Sequence, residues 1–128
     1  MTRINCGIPV KQLHNKHLLA EHREIVRVPN HIKKVEGHID TKSIPKTFCL
    51  GTGHVRFFYN KLKYLHNRYK QIRDECYNRG YKVTDFEESF EDLSDNLSYM
   101  FLYKDYEPTK DDIEIIQQRI NERLKTMK

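Results

Sequence analysis

The sequence predicts an all-α fold: a single compact domain of three main helices joined by long irregular connections. Three observations carry that expectation. Apolar residues recur every three or four positions in three separate stretches. No stretch alternates apolar and polar residues as a half-buried strand would. A chain of 128 residues is the size of one domain, long enough to bury a real core. Three helices packed around that core is the economical arrangement. There are no internal repeats and no low-complexity tract.

The first helix is expected from near Gln12 to past Arg27, with Leu18, Leu19, His22, Ile25 and Val26 forming its apolar stripe. Pro29 ends or kinks it, and Gly37 closes the segment. The second stretch keeps the helical rhythm longest. Val55, Phe58, Tyr59, Leu62, Leu65, Tyr69, Ile72 and Cys76 run for about six turns, and Gly80 is placed to terminate them. Off that stripe lie Arg56, Lys61, Lys63, Arg68, Lys70, Arg73 and Arg79. Some of these could reach phosphates, but a solvated helix face explains any single one. The third helix begins at Thr109, a good N-cap followed by Asp111 and Asp112, and buries Ile113, Ile116, Ile120 and Leu124. Residues 81–108 read as a polar and aromatic connection, with the acidic run DFEESFEDLSD as a loop.

Charge divides the chain. Residues 1–82 hold 17 Lys and Arg against 6 Asp and Glu, residues 83–114 hold 2 against 11, and residues 115–128 hold 4 against 1. A basic body with net charge +5 favours a polyanionic partner, nucleic acid first, with a lysine-rich solvated surface as the plain alternative. No run approaches the roughly 18 apolar residues of a membrane span, and no signal peptide is visible, so no membrane partner is expected. Cys6, Cys49 and Cys76 are odd in number and include no CxxC pair. They read as small buried or half-buried filler in a reducing compartment, the cytoplasm or nucleus of a cell, a virus-infected cell included.

Few residues carry chemistry by their spacing. A small Thr follows Met1, the context in which the initiator is removed, which would leave an α-amine on Thr2 beside Arg3. On the first helix His17, Glu21 and Glu24 share one face at i, i+4 and i+7, flanked by Lys16, Arg23 and Arg27. An exposed strip of paired charges is the plain reading of that face. His14, His17 and His22 lack a helical i, i+4 pair and no second cluster completes them, so no metal is expected. There is no GxSxG element, and GTGH at 51–54 is a turn rather than a dinucleotide fingerprint.

Three blocks, MTRIN at the start, HLLAEHREIVRV at 17–28 and FCLGTGHVRFFYNKLKYL at 48–65, together resemble the pyrimidine dimer DNA glycosylases of the phage endonuclease V type. The pattern continues through ECYNRGY at 75–81 and IIQQRINERL at 115–124, so the resemblance runs over residues 1–128 as one domain. It implies a small all-α monomer of three helices acting on damaged double-stranded DNA without metal or organic cofactor. The resemblance makes the α-amine of Thr2 the nucleophile at C1′ of the damaged nucleotide and Glu24 the catalytic carboxylate. Arg3, Arg23 and Arg27 match DNA-contacting positions. His17 and Glu21 match residues beside the same site, and Arg119 and Arg123 match basic phosphate contacts.

The implied activity is that of a bifunctional glycosylase and β-elimination lyase on ultraviolet pyrimidine dimers. The sequence also departs from the family pattern. It ends at RLKTMK without the aromatic and basic tail, has one extra residue and Pro9 before the first helix, and carries His22 where Tyr is familiar. Two alternatives therefore stand: the same imine chemistry on another damaged base or on abasic sites alone, and a non-catalytic DNA-binding homologue.

Overall fold

The N-terminal apolar stripe folds as two helices rather than one. In the computed structural model, which describes residues 3–50 and 53–126, α1 spans Asn15–Ile25 and α2 spans Arg27–Lys34. α1 starts later than Gln12 because Val10–Gln12 form a separate 3-10 turn, and His14 caps the helix by accepting the Lys16 N–H on Nδ1 at 3.1 Å. The break falls at Val26, and Pro29 explains its position. Proline lacks an N–H, and its ring meets the carbonyl four residues back, that of Ile25, where α1 ends. The Gly37 N–H reaches the Ile32 carbonyl at 2.9 Å and closes α2, as expected.

The predicted six-turn helix is interrupted. A single turn, α3 (His54–Phe57), is followed by an irregular link and then by α4 (Leu62–Asn78). The cause is tertiary. The Leu62 N–H donates to the Leu102 carbonyl at 3.1 Å and the Lys63 N–H to that of Lys104 at 3.2 Å. A distant strip of backbone thus takes the donors that a preceding helical turn would have used. The far end of α4 follows the expectation. Gly80 at φ +86 lets its own N–H reach the Tyr77 carbonyl and the Tyr81 N–H reach that of Cys76, a paired left-handed cap.

The acidic run is a helix, not a loop: α5 spans Glu87–Ser94 and packs on α2 and α4. Asp85 accepts the Glu87 N–H at 3.0 Å, and Phe86, Phe90 and Leu93 supply an inward stripe of two turns. α6 (Lys110–Thr126) is capped reciprocally. Thr109 Oγ1 accepts the Asp112 N–H and Asp112 accepts the Thr109 N–H, both at 3.1 Å. Ile116 and Ile120 are buried and Ile113 is partly so, but Leu124 is 40% exposed, so the stripe ends a turn early.

Every regular element among the described residues is helical. The shared core joins Leu18, Ile25 and Ile32 to Leu65, Tyr69, Ile72 and Phe90. Ile4, Cys6 and Ile8 enter the same core from the N-terminal segment, which lies across it without helical structure. Gly7 turns that segment at φ +78. A Cβ there would stand 2.5 Å from Ile113 of α6, so the chain passes too close for a side chain. Arg79 at the end of α4 gathers the carbonyls of Val10, Lys11 and Leu13, which pins the turn leading into α1.

Candidate active site

A non-helical stretch must find partners for its backbone groups outside itself. Residues 3–7 find them on three separate elements. The Arg3 N–H donates to Glu24 Oε1 on α1 at 3.0 Å, and the Ile4 N–H to His54 Nε2 on α3 at 2.9 Å. Asn5 Nδ2 donates to Glu21 Oε1 at 2.9 Å, and the Gly7 N–H to the Tyr64 hydroxyl on α4 at 3.1 Å. Residues 3–7 are therefore laced onto the helices rather than lying loose upon them.

Between this segment, α1 and α6 lies a cleft of about 190 Å³ lined by Arg3, Asn5, His17, Glu21, Glu24, Arg119 and Arg123. Residues far apart in sequence thus meet in one place. Glu24 is buried at the cleft, with Oε1 on the Arg3 amide and Oε2 3.9 Å from the Arg23 guanidinium. Arg23 itself is solvent-exposed and borders a neighbouring hollow beside His22, Lys82 and Phe86. Arg27 heads α2 on an exposed position and does not line the cleft. Thr2, the expected nucleophile, lies outside the described residues.

Glu21 occupies the floor. It is 1% exposed, and Arg68 grips it twice, Nε to Oε2 at 2.8 Å and Nη2 to Oε1 at 3.0 Å. Its lone pairs face protein groups, so its place is beneath the site rather than against a phosphate. Burial opposes the charge on Arg68, but the Glu21 carboxylate more than offsets it and holds the guanidinium above its ordinary value. The fixed carboxylate fixes Asn5 in turn. With Nδ2 committed to Glu21, Asn5 presents Oδ1 to Arg119 Nη2 at 3.1 Å. A buried chain of hydrogen bonds from Arg68 through Glu21 and Asn5 therefore aims Arg119 into the cleft.

Cations dominate what remains. Burial, then repulsion from Arg3, lowers the pKa of Arg119, and Glu21 only partly compensates. His17 is held below its ordinary value by burial and by His14, Arg119, Arg3 and Arg123. Its Nδ1 is buried with no hydrogen-bond partner among the described residues, so the ring keeps unused capacity at the cleft. Positive groups crowded against one another are the electrostatic preparation for an anion. Cys6 beneath them is no nucleophile, because burial pushes its thiol up to about 12. Among the described residues, no three His, Cys, Asp or Glu side chains gather as a metal site requires.

The profile of the family described as pyrimidine dimer DNA glycosylase matches residues 1–89, more than two thirds of the chain. The chain belongs to the pyrimidine dimer DNA glycosylase family. Pyrimidine dimer DNA glycosylases are DNA-repair enzymes that bind damaged DNA, and the cation-rich cleft suits that partner. The match covers the N-terminal segment, α1 and α4, and ends within α5, so Arg119 and Arg123 stand beyond it.

Asn5, His54, Tyr64 and Arg68 were not among the residues expected at the site. Arg68 and Glu21 carried a readable signal. Each sits at helical spacing between buried apolar residues, Arg68 between Leu65 and Ile72 and Glu21 between Leu18 and Ile25. Opposite charges on two apolar stripes announce a buried pair. His54 offered no comparable signal, since its partners are a carbonyl and an amide of the backbone.

Proposed function

We propose that this glycosylase is also an abasic-site lyase, and that it acts on ultraviolet pyrimidine dimers in double-stranded DNA through an imine on the α-amine of Thr2, with Met1 removed. The observation that supports this most is the hydrogen bond from the Arg3 N–H to Glu24 Oε1. The Arg3 nitrogen is bonded to the carbonyl carbon of Thr2, and consecutive Cα atoms stand about 3.8 Å apart. A buried carboxylate one residue from the chain start is well suited to serve an amine there.

The chemistry suits the group. An α-amine titrates near 7.7–8.0, against about 10.4 for lysine, so much of it is neutral near pH 7.5. A neighbouring cation lowers such an amine further. The amine nitrogen attacks C1′, and the base departs with the electron pair of the glycosidic bond. Loss of an amine proton as the sugar ring opens leaves a protonated imine. A proton then leaves C2′, its electron pair forms the C2′–C3′ double bond, and the C3′–O bond breaks with the phosphate as leaving group. Glu24 stabilises the cationic sugar and imine and assists proton movement. No metal or cofactor enters any of these steps. Arg3, Arg119 and Arg123 hold phosphates, with Arg23 and Arg27 farther out, and the clamp offsets the few kcal/mol needed to displace a nucleotide from the stack.

A second reading keeps the chemistry and changes the lesion. It draws support from the family match ending at residue 89 and from the absence of tryptophan. Strand cleavage on duplexes that each carry one defined lesion separates the two. Cutting at a cyclobutane dimer supports the first reading. Cutting only at an abasic site or another damaged base replaces it with the second.

A further inference from the structure

The histidine that ends FCLGTGH has no role in the chemistry above, yet it is among the most constrained side chains of the molecule. His54 is 2% exposed, with Phe48 and Phe58 edge-on to its ring. Its Nδ1 lies 3.0 Å from the Cys49 carbonyl and its Nε2 2.9 Å from the Ile4 amide nitrogen. A carbonyl only accepts and an amide N–H only donates, so the tautomer is settled: Nδ1 carries the proton and Nε2 accepts. Charged groups face it from three elements, Arg3 on the N-terminal segment, Glu21 on α1 and Arg119 on α6. Burial lowers its pKa to about 4, so the ring is neutral and its acceptor available at any working pH.

We propose that His54 is a positioning residue for the reaction of the chain-terminal amine, because its Nε2 anchors the Ile4 N–H and so fixes the short tether on which that amine meets Glu24. This rests on the amine chemistry proposed above. The Ile4 side chain is fully buried, so the anchor joins a plugged side chain to a held backbone. Two peptide units separate that point from residue 2, a reach of about 7 Å that the anchor must narrow to near-attack distance. Misplacing a reacting group by ~1 Å costs about 10²-fold in rate.

The test uses full-length protein whose mass shows that Met1 is removed. His54→Leu keeps bulk and deletes the acceptor, while His54→Gln offers a side-chain carbonyl toward the same amide. Three quantities are read: the single-turnover rate of borohydride trapping on an abasic duplex, the Kd for a duplex with a reduced, unreactive abasic site, and the Tm. His54→Leu should slow trapping at least about tenfold while Kd stays within about threefold, and His54→Gln should restore most of the rate. Unchanged trapping in His54→Leu overturns the proposal, as do equal losses of rate and affinity, or a folded His54→Gln that recovers nothing. Should His54→Leu fail to fold, semisynthesis at the Asn5–Cys6 junction can replace the Ile4 amide by an ester. That deletes the donor and leaves His54 intact, and trapping should slow in the same way; an unchanged rate overturns the proposal. Wild-type protein that traps nothing at residue 2 refutes the amine chemistry itself, whereas wild-type trapping matched by His54→Leu refutes only the role of His54.

Discussion

At the α4–α5 end, His66 holds the Tyr103 hydroxyl at Nδ1 and Glu87 at Nε2. Arg73 there bridges Asp74, Asp85 and Glu87, while Tyr69 donates to Asp85. At the cleft the same residue types are assembled to another end. Arg3, Arg119 and Arg123 crowd together, His17 keeps a buried nitrogen unmatched among the described residues, and Glu21 is already consumed by Arg68. One cluster closes on itself and ties α5 to α4. The other is left short of negative charge. The contrast shows why a tally of charged residues does not locate a site: what distinguishes the cleft is that Arg3, Arg119 and Arg123 line it together while one of its two carboxylates is bound to Arg68 beneath.

Paired substitutions at the two ends sharpen or break that contrast. The largest effect belongs to the carboxylates. Glu24→Gln should lower strand cleavage by about 10²–10⁴-fold while duplex affinity changes only a few-fold. Glu87→Gln should leave cleavage within about twofold of wild type, since it lies outside the cleft. Gel-based single-turnover assays with parallel binding isotherms check both, and unchanged cleavage in Glu24→Gln would remove that carboxylate from the mechanism.

Next comes the buried floor. Glu21→Ala strands Arg68 in the interior and should cost ~3–5 kcal/mol in urea unfolding, against about 1 kcal/mol for Glu87→Ala on the partly exposed cluster. Similar costs for the two would contradict the division drawn here.

Acid provides the third comparison. His54 titrates near 4 when folded, below its ordinary 6.5. The unfolded chain therefore binds the extra proton between those values, and the stability held in full above pH 6.5 is lost as pH falls toward 4, by about 3 kcal/mol. His17, shifted in the same direction, adds to the trend. Urea unfolding across that range should show the decline in wild type and a flatter profile in His54→Gln. Matching profiles would mean that the Ile4 anchor is not what acid breaks.

The smallest effect concerns the rim. Arg119→Ala or Arg123→Ala should weaken binding to every duplex alike and reduce the salt slope by about one. Arg73→Ala should leave that slope unchanged, because its carboxylate neighbours already occupy it. An equal change in slope would place DNA on both ends.

How much of this could be read beforehand follows from the range of the interactions. The cap of α6 was legible because Thr109 and Asp112 are three residues apart. The end of α4 at Gly80 was legible for the same reason. The break between α3 and α4 was not, since backbone forty residues downstream takes the Leu62 and Lys63 donors. α5 was hidden by its brevity, two turns of Phe86, Phe90 and Leu93 among carboxylates. At the site, His17, Glu21 and Glu24 were legible as one helix face, and the resemblance singled out Glu24 among them. The anchoring of residues 3–7 was not, because its contacts span 16 to 57 residues and mostly involve backbone amides, which no side-chain pattern reports.

The most direct test is borohydride trapping on a duplex carrying one defined pyrimidine dimer, with the adduct digested and mapped by mass spectrometry. A covalent link at the α-amine of Thr2, absent in Glu24→Gln, is the expected result. An adduct mapped to a lysine, or none from protein verified to begin at Thr2, would contradict the account.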